Sequence, residues 1–158
     1  MITIRSITRE DQPRLRKFWV ERWGDETIVA HGVVYRVDTM DGFLALDGRE
    51  IVGTITLAHS DDDCEIVSID SVREEKGIGT SLLEAAIKAA REKGCKRLFL
   101  ITTNDNLPAL GFFQKRGFEL SALHRGAVNE SRKIKLSIPP TGHDDIPIRD
   151  ELELEMNL

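Results

Sequence analysis

The period of the apolar residues changes soon after the start of the chain. Alternating apolar and polar positions over residues 2–6 predict a strand. Thr8 then stands where a helix N-cap is expected, with Asp11 three residues further on. Large apolar side chains follow at helical spacing. The sequence therefore predicts a helix over 14–23 whose apolar face turns towards the core: Leu15, Phe18, Trp19 and Trp23.

The dipeptide Asp47-Gly48 lies between two apolar runs, and Asp-Gly in that setting favours a tight hairpin turn. It predicts an antiparallel strand on each side of the turn. The acidic residues within 60–63 predict a second turn, after which residues 64–70 form a third antiparallel strand. Strict alternation in this strand puts Glu65 on one face and Asp70 on the other.

A longer helix in the second half of the chain links two strands. The apolar stripe of residues 80–93 predicts the helix, which ends before Gly94. The apolar run 96–102 predicts a strand buried on both faces, and the intervening helix makes it parallel to the strand before. The remaining expectations are a loop with a short strand over 26–41, final strands at 119–124 and 151–156, and an irregular connection over 126–150.

The composition fits one folded domain of 158 residues, 41% of them hydrophobic. A formal net charge of −5 argues against a nucleic-acid partner, and no apolar run reaches the roughly 18 residues of a membrane span. Cys64 and Cys95 lack the spacing of a metal or redox site, and the four histidines form no metal-ligand pattern. With no signal-peptide pattern at the start, we expect a cytoplasmic protein with free thiols and no metal.

Residues 73–80 carry the most informative local pattern, with Gly77 and Gly79 at the start of an amphipathic helix. Glycines let the backbone approach a ligand closely, and a helix N-terminus offers N–H groups and a positive dipole. This combination predicts a site for a phosphate or pyrophosphate. A Rossmann turn would need a third glycine at Leu82, and the Gly-Lys-Ser/Thr of a P-loop is absent.

A second pattern begins 27 residues after Gly79, with a helix and a strand between the two. It comprises Asn106, Ala109, Phe113 and Gly117-Phe118. Together the two patterns resemble the Q/R-x-x-G-x-G/A turn and the N-x2-A-x3-Y-x3-G-F segment of the GNAT N-acetyltransferases. The resemblance is strong over residues 64–120 and looser elsewhere.

The resemblance implies an α/β (α+β) fold with a mixed, mostly antiparallel sheet. The sheet has about six to seven strands and about four flanking helices, and a parallel pair is splayed around acetyl-CoA. One acetyltransferase domain would span 1–158, with an acceptor side over about 1–63, a cofactor core over about 64–120 and terminal strands over 119–158. The implied activity is acetyl transfer to a primary amine of a small molecule or protein, by direct attack in a ternary complex. The implied protein is a monomer or a homodimer.

The family holds acetyl-CoA with the strand before the glycine turn, the turn itself and the second motif. Glu74 departs from the pattern, because this position usually holds Gln or Arg. Phe113 replaces the usual tyrosine, which protonates the departing thiolate. Carried over residue by residue, the resemblance implies cofactor contacts at Ile69, Ser71, Val72, Glu74, Lys76, Gly77, Ile78, Gly79, Thr80, Asn106 and Phe113.

Carboxylates of the strand 64–70 are the candidate general bases. Glu65 is the first choice, acting directly or through a water, and the alternative is a solvated residue of the strand. Asp70 is the second choice, and the alternative is that it fixes the loop entering the glycine turn. Tyr35 and His124 are the candidate acceptor-side residues, although His124 also fits a polar strand end at the surface.

Phe113 cannot donate a proton, and three interpretations follow. The thiolate leaves unassisted or takes a proton from water, since a thiol with a pKa near 8.5 needs little help. Alternatively Tyr35, the single tyrosine, donates the proton from the acceptor side. The third interpretation is a protein of another class, a sensor or regulatory subunit that binds acyl-CoA without turnover.

Overall fold

The computed structural model describes residues 1–36, 39–73 and 77–158. Within these ranges the chain forms nine strands and four α-helices. In chain order they are β1 (Ile2–Ser6), α1 (Gln12–Trp23), β2 (Thr27–Ala30), β3 (Val33–Arg36), β4 (Asp41–Asp47), β5 (Glu50–Ser60), β6 (Asp63–Ser71), α2 (Ile78–Glu92), β7 (Arg97–Thr103), α3 (Leu107–Lys115), β8 (Glu119–His124), α4 (Ala127–Ile134) and β9 (Glu151–Asn157).

Seven of the described strands form one sheet in the order β1-β4-β5-β6-β7-β9-β8, and β2 and β3 form a separate two-stranded sheet. The large sheet is mostly antiparallel and contains one parallel pair. The predicted sheet of six to seven strands with four helices is confirmed. The predicted hairpin is confirmed as well, because β4 and β5 pair antiparallel. Asp47 pairs with Glu50, so the turn consists of Gly48 and Arg49. None of the helices in the described ranges is long and apolar enough to cross a membrane.

Contacts divide the described residues into two compact units. One comprises Met1–Ile28, Tyr35–Leu98 and Leu158, and the other comprises Val29–Val34 and Phe99–Asn157. The single domain over 1–158, with its three subdivisions, stays a prediction.

The core of the first unit includes a cluster between α1 and the sheet. Leu15, Phe18 and Trp19 of α1 pack with Leu44 of β4 and Ile51 of β5. Each of these side chains is at most 9% exposed. Burial of one large apolar side chain stabilises a fold by roughly 1.5–3 kcal/mol, so this cluster holds α1 on the sheet.

The two ends of α1 differ in how well the sequence predicts them. Thr8 is the N-cap of the short 3₁₀ turn that leads into α1, as predicted, and its N–H donates to the Asp11 carboxylate at 2.7 Å. Arg5 donates two further hydrogen bonds to Asp11, at 2.7 and 2.8 Å. Trp23 is 37% exposed and stacks on Trp19, so the expectation that it lies in the core is wrong.

α2 lies on the opposite face of β5 from α1. Thr54 of β5 contacts Trp19 of α1, while the neighbouring Gly53 faces α2, as alternation requires. A Cβ at Gly53 would lie 2.8 Å from the Cγ2 of Ile78 and 2.9 Å from the carbonyl oxygen of Asp70. The first turn of α2 therefore rests directly on the strand backbone. The sequence predicts an apolar face of Leu83, Ala86, Ile87 and Ala90 for this helix. Leu83, Ala86 and Ala90 are buried, Ile87 is only partly buried, and Leu82 is buried in addition.

β6 contains one extra residue relative to its neighbour β5. Thr56 pairs with Ser68, but the next residue of β5, Leu57, pairs with Ile66. Val67 is thus inserted between two paired positions, which is the arrangement of a β-bulge. A bulge shifts the alternation of side chains on either side of it.

This bulge changes the faces on which two acidic residues lie. Glu65 pairs with Ala58 and Asp70 pairs with Thr54, two residues of β5 that share a face. Glu65 and Asp70 therefore lie on the same face of β6. The expectation that they occupy opposite faces is wrong, because strict alternation assumed an unbroken register.

The segment 26–41 is more regular than expected, because its described residues form two strands rather than one. β2 and β3 are joined by a turn at His31 and Gly32, which both have positive φ, 39° and 78°. The N–H of His31 donates to the Glu151 carboxylate at 3.1 Å. Three of the four residues of β3 are exposed, and Tyr35 is the exception.

The second unit contains a helix that the sequence pattern does not predict. α4 lies within the stretch 126–150, for which an irregular connection was the expectation. Val128 and Ser131 are the buried residues of this helix. β8 and β9 pair antiparallel and confirm the two final strands.

β7 is less buried than its apolar sequence suggests. Leu98 and Leu100 are buried, whereas Phe99 and Ile101 are only partly buried. The expectation of burial on both faces is therefore wrong, and β7 follows the alternation of a strand with one well-buried face.

Candidate active site

Tyr35 and Glu65 form a hydrogen-bonded pair in the first unit. The Tyr35 hydroxyl donates to Oε1 of Glu65 at 2.6 Å. Glu65 is only 5% exposed, so the alternative of a solvated strand residue is wrong. A buried carboxylate depends on such donors, since it has lost its hydration shell. Burial, together with the hydrogen bond and the charge of Glu65, raises the pKa of Tyr35 above its ordinary value.

Asp70 is held by an arginine that the sequence analysis did not single out. Arg22 at the end of α1 donates from Nε and Nη2 to the two oxygens of Asp70, at 2.8 and 2.7 Å. The same arginine donates to the carbonyl oxygen of Ser71 at 3.3 Å. The pair ties the end of β6 to α1 just before the glycine turn, which is the arrangement expected of a residue that fixes this loop.

Buried hydroxyl groups line the face of the sheet that carries Glu65. The indole N–H of Trp19 donates to Oγ1 of Thr54 at 3.2 Å, and the hydroxyls of Thr56 and Ser68 are hydrogen-bonded at 2.5 Å. All three hydroxyl-bearing residues are at most 9% exposed. Sequence reasoning missed them because polar residues that alternate with apolar ones in a hairpin indicate a solvent face. The signal that could have found them is the helix α1, which covers that face.

The N-terminus of α2 has the geometry of an anion site. Gly77 is the N-cap and has a φ of 68°, a left-handed conformation that favours glycine. The Ser81 N–H donates to the Gly77 carbonyl at 3.0 Å, which closes the first turn of the helix. No acidic residue lies in this turn. The predicted contacts of the turn are Gly77, Ile78, Gly79 and Thr80.

The other predicted cofactor contacts near the turn lie at the end of β6 and beyond it. Ile69 and Ser71 both pair with residues of β5. The Val72 N–H donates to the carbonyl oxygen of Val52 at 2.9 Å, so this group is engaged in the sheet. Two further predicted contacts lie outside the described residues, Glu74 and Lys76.

Asn106 and Phe113 have well-defined positions in the second unit. Asn106 is the N-cap of α3, and its Oδ1 accepts a hydrogen bond from the Ala109 N–H at 3.3 Å. Phe113 is 3% exposed and packs edge-to-face against Phe112 and Phe118. The residue that replaces the usual tyrosine is therefore part of the core of this unit.

His124, the second candidate for the acceptor side, lies at the end of β8. Its Nε2 is 3.6 Å from Oε1 of Glu153, and 45% of its side chain is exposed. This position fits the surface strand end that the sequence analysis kept as an alternative.

The sequence profile of the acetyltransferase (GNAT) family matches residues 4–118. The chain belongs to the GNAT acetyltransferase family. The matched region begins within β1 and ends just after α3, so it includes both motifs of the sequence. Glu65, Asp70, the glycine turn and Asn106 all lie within the part that this GNAT protein shares with the family.

Individual relatives agree with the family match. The chain is similar to the uncharacterized protein YxbD of Bacillus subtilis (strain 168), with 49% identity over 142 residues and 89% of each chain covered. It shares its fold with an IAA acetyltransferase from Bacillus cereus ATCC 14579, at a TM-score of 0.78, 22% identity and full coverage of both chains. A GNAT family acetyltransferase from Elizabethkingia anophelis with acetyl-CoA bound has a similar fold, at a TM-score of 0.72 and 23% identity. The match covers 99% of this chain and 98% of that one.

Proposed function

We propose that this GNAT protein is an acetyl-CoA-dependent N-acetyltransferase. It transfers the acetyl group to a primary amine of a small molecule or protein, by direct attack in a ternary complex. The observation that carries the catalytic part is the buried Glu65 carboxylate, held by the Tyr35 hydroxyl. A carboxylate in this position can take the proton of the acceptor amine, which supports turnover rather than cofactor binding alone.

The N-terminus of α2 supports the cofactor assignment. Gly77 turns the chain, and the first-turn N–H groups are directed away from the helix body, where they suit a pyrophosphate. The E. anophelis relative, which has this fold, contains acetyl-CoA. Bound acetyl-CoA supplies an acyl group already activated as a thioester.

Glu65 is the residue we assign to the proton of the acceptor. An alkylammonium must lose a proton before its nitrogen can attack, and a carboxylate can take it directly or through a water. Asp70 is less suited to this task, because both of its oxygens accept hydrogen bonds from Arg22. We therefore assign Asp70 to the positioning of the turn.

The departing thiolate does not depend on a tyrosine in this proposal. Phe113 has no proton to give, and Tyr35 is a poor acid because its pKa is raised by burial and by Glu65. The thiolate therefore leaves unassisted or takes its proton from water, as a thiol of ordinary acidity allows. Contact of Tyr35 with the acceptor stays a prediction, and so, separately, does contact of His124.

An acyl-CoA sensor is the second candidate, and the replacement of the usual tyrosine by Phe113 favours it. Release of free thiol from acetyl-CoA, measured with a panel of amines, separates the two. We expect release above background with at least one amine. If acetyl-CoA raised the melting temperature but released no thiol with any amine, the protein would be a sensor and not an enzyme. The absence of both effects would overturn the cofactor assignment itself.

Location and assembly are part of the proposal. Cys64 and Cys95 are both buried free thiols, which fits a reducing cytoplasm. A monomer and a homodimer both fit the proposed reaction, and the molar mass in solution distinguishes them.

A further inference from the structure

Tyr35 has a role in the proposed reaction that differs from contact with the acceptor. We propose that Tyr35 is a positioning residue, which holds the Glu65 carboxylate in one orientation for proton transfer. This inference rests on the proposed function and assigns the single tyrosine of the chain to the base rather than to the leaving group.

The contact itself is the first support. The 2.6 Å between the Tyr35 hydroxyl and Oε1 of Glu65 is a short hydrogen bond to a carboxylate, of the stronger, charge-assisted kind. The bond also restricts rotation of the carboxylate about its terminal torsion, which is otherwise broad.

The position of Tyr35 in β3 is the second support. Its neighbours in this strand are exposed, with Val33 at 41% and Val34 at 49%. A strand with so little buried apolar surface contributes little to a core. Tyr35 is the residue of β3 whose side chain is partly buried, and its hydroxyl reaches the buried Glu65 carboxylate. The contact with Glu65 therefore explains the position of Tyr35 better than core packing does.

The face on which Glu65 lies is the third support. The bulge at Val67 brings Glu65 onto the side of β6 that faces α1, where the hydroxyl groups of Thr56 and Ser68 share the face with apolar side chains. In such surroundings a carboxylate has several possible hydrogen-bond geometries. A fixed donor selects one of them, which matters because a misplacement of about 1 Å can cost about 10²-fold in rate.

A double-mutant cycle tests this inference. Tyr35→Phe removes only the hydroxyl, Glu65→Gln removes the base, and the double variant carries both. We expect Tyr35→Phe alone to lower kcat by about 10-fold, with the KM for acetyl-CoA within about 2-fold of the original. In the Glu65→Gln background the same change should alter kcat by less than about 2-fold, because the group it positions is gone.

The split between kcat and KM provides a readout that a purely structural role would not give. Loss of one orienting hydrogen bond should lower kcat and leave the KM for acetyl-CoA within about 2-fold of the original, whereas a disturbed fold would change both. Val33→Ala, an exposed position in the same strand, serves as the matched control and should leave kcat and KM in place.

The outcomes separate this inference from the function on which it rests. Equal losses of kcat from Tyr35→Phe in the original and the Glu65→Gln backgrounds, or a KM that changes as much as kcat, would overturn the positioning role and leave the proposed enzyme activity intact. If the unsubstituted protein released no thiol from acetyl-CoA with any amine, the proposed function would be wrong, and the positioning role with it.

Discussion

Glu65 and Asp70 lie on the same face of β6, although strict alternation would separate them. The bulge at Val67 is responsible, and its effect is that a buried carboxylate and an arginine-paired carboxylate flank one stretch of the strand. The same charge at two positions therefore has two different environments, and substitutions at the two sites should have different effects.

Replacement of Glu65 tests the assignment of the base. Glu65→Gln keeps the shape of the side chain and should lower the rate of acetyl transfer by about 10²–10⁴-fold at neutral pH. The loss should shrink at high pH, where more of the acceptor amine is already neutral. The pH–rate profile with a responsive amine provides the measurement, and a profile identical to that of the unchanged enzyme would remove Glu65 from the mechanism.

Asp70→Asn is the matched comparison on the same strand face. It weakens the pair with Arg22, which is partly exposed, so we expect a loss of stability of about 1 kcal/mol. Denaturant unfolding measures this loss. A fall in the rate of acetyl transfer as large as that of Glu65→Gln, with no loss of stability, would instead identify Asp70 as the base.

The glycine turn predicts how substitutions of Gly79 affect the stabilisation of the protein by acetyl-CoA. Acetyl-CoA at about 100 times its Kd should stabilise the folded protein by about 2.7 kcal/mol and raise its melting temperature. Gly79→Glu should abolish this rise, because it places a carboxylate in the first turn of α2. Gly79→Ala adds only a methyl group at a helical position and should retain most of the rise. An undiminished response in a folded Gly79→Glu variant would show that the phosphates bind elsewhere.

The single tyrosine allows its contact with Glu65 to be followed spectroscopically. Burial and Glu65 raise the pKa of Tyr35 above its ordinary value of about 10. Glu65→Gln removes the negative charge but not the burial, so the pKa should fall part of the way back. Titration by near-ultraviolet difference absorbance measures it, and an ordinary pKa in the unchanged protein would contradict the buried contact.

Asp11 predicts a pH-dependent contribution to stability. Hydrogen bonds from Arg5, with others from Thr8, hold the pKa of Asp11 well below its usual range. A carboxylate with a depressed folded-state pKa contributes stability above its unfolded pKa of about 3.9, and this is lost as the pH falls through the folded value.

The substitution Asp11→Asn measures that contribution. It should lower the free energy of unfolding by about 1–3 kcal/mol at neutral pH, and the difference from the unchanged protein should narrow below about pH 4. Glu10→Gln, at an exposed neighbouring position, should change stability by no more than about 0.5 kcal/mol. A difference that stays constant down to low pH would mean that the charge of Asp11 does not contribute.

Local signals in the sequence predict much of this fold. Asp47-Gly48 predicts the hairpin because glycine adopts the positive φ of such a turn, 62° at Gly48, although the two residues of the turn are Gly48 and Arg49. Gly77 likewise has a positive φ at the start of α2. α4 escaped prediction because charged residues and nearby prolines obscure its short apolar stripe, of which Val128 is the main buried member. Helices of this kind depend on tertiary packing more than on local preference.

The candidate site was only partly predictable for a different reason. Tyr35 and Glu65 could each be identified as candidates, but nothing in the sequence places them 2.6 Å apart. The bulge at Val67 carries no glycine or proline to reveal it, so its effect on the side-chain faces becomes visible only in the strand register. Arg22 was not identified, because a charged residue near the end of a helix is usually solvated.

The N-terminus of α2 lies close to β5 because residue 53 is a glycine. Gly53 has no side chain that could contact a ligand, yet it determines where this helix begins. A methyl group there would collide with the Ile78 side chain and the Asp70 carbonyl, so the helix and the strand would have to separate. Alanine at this position would displace the N-terminus of α2 from β5, and the proposed phosphate site with it. The geometry of that site is thus set in part by the spacing between two elements.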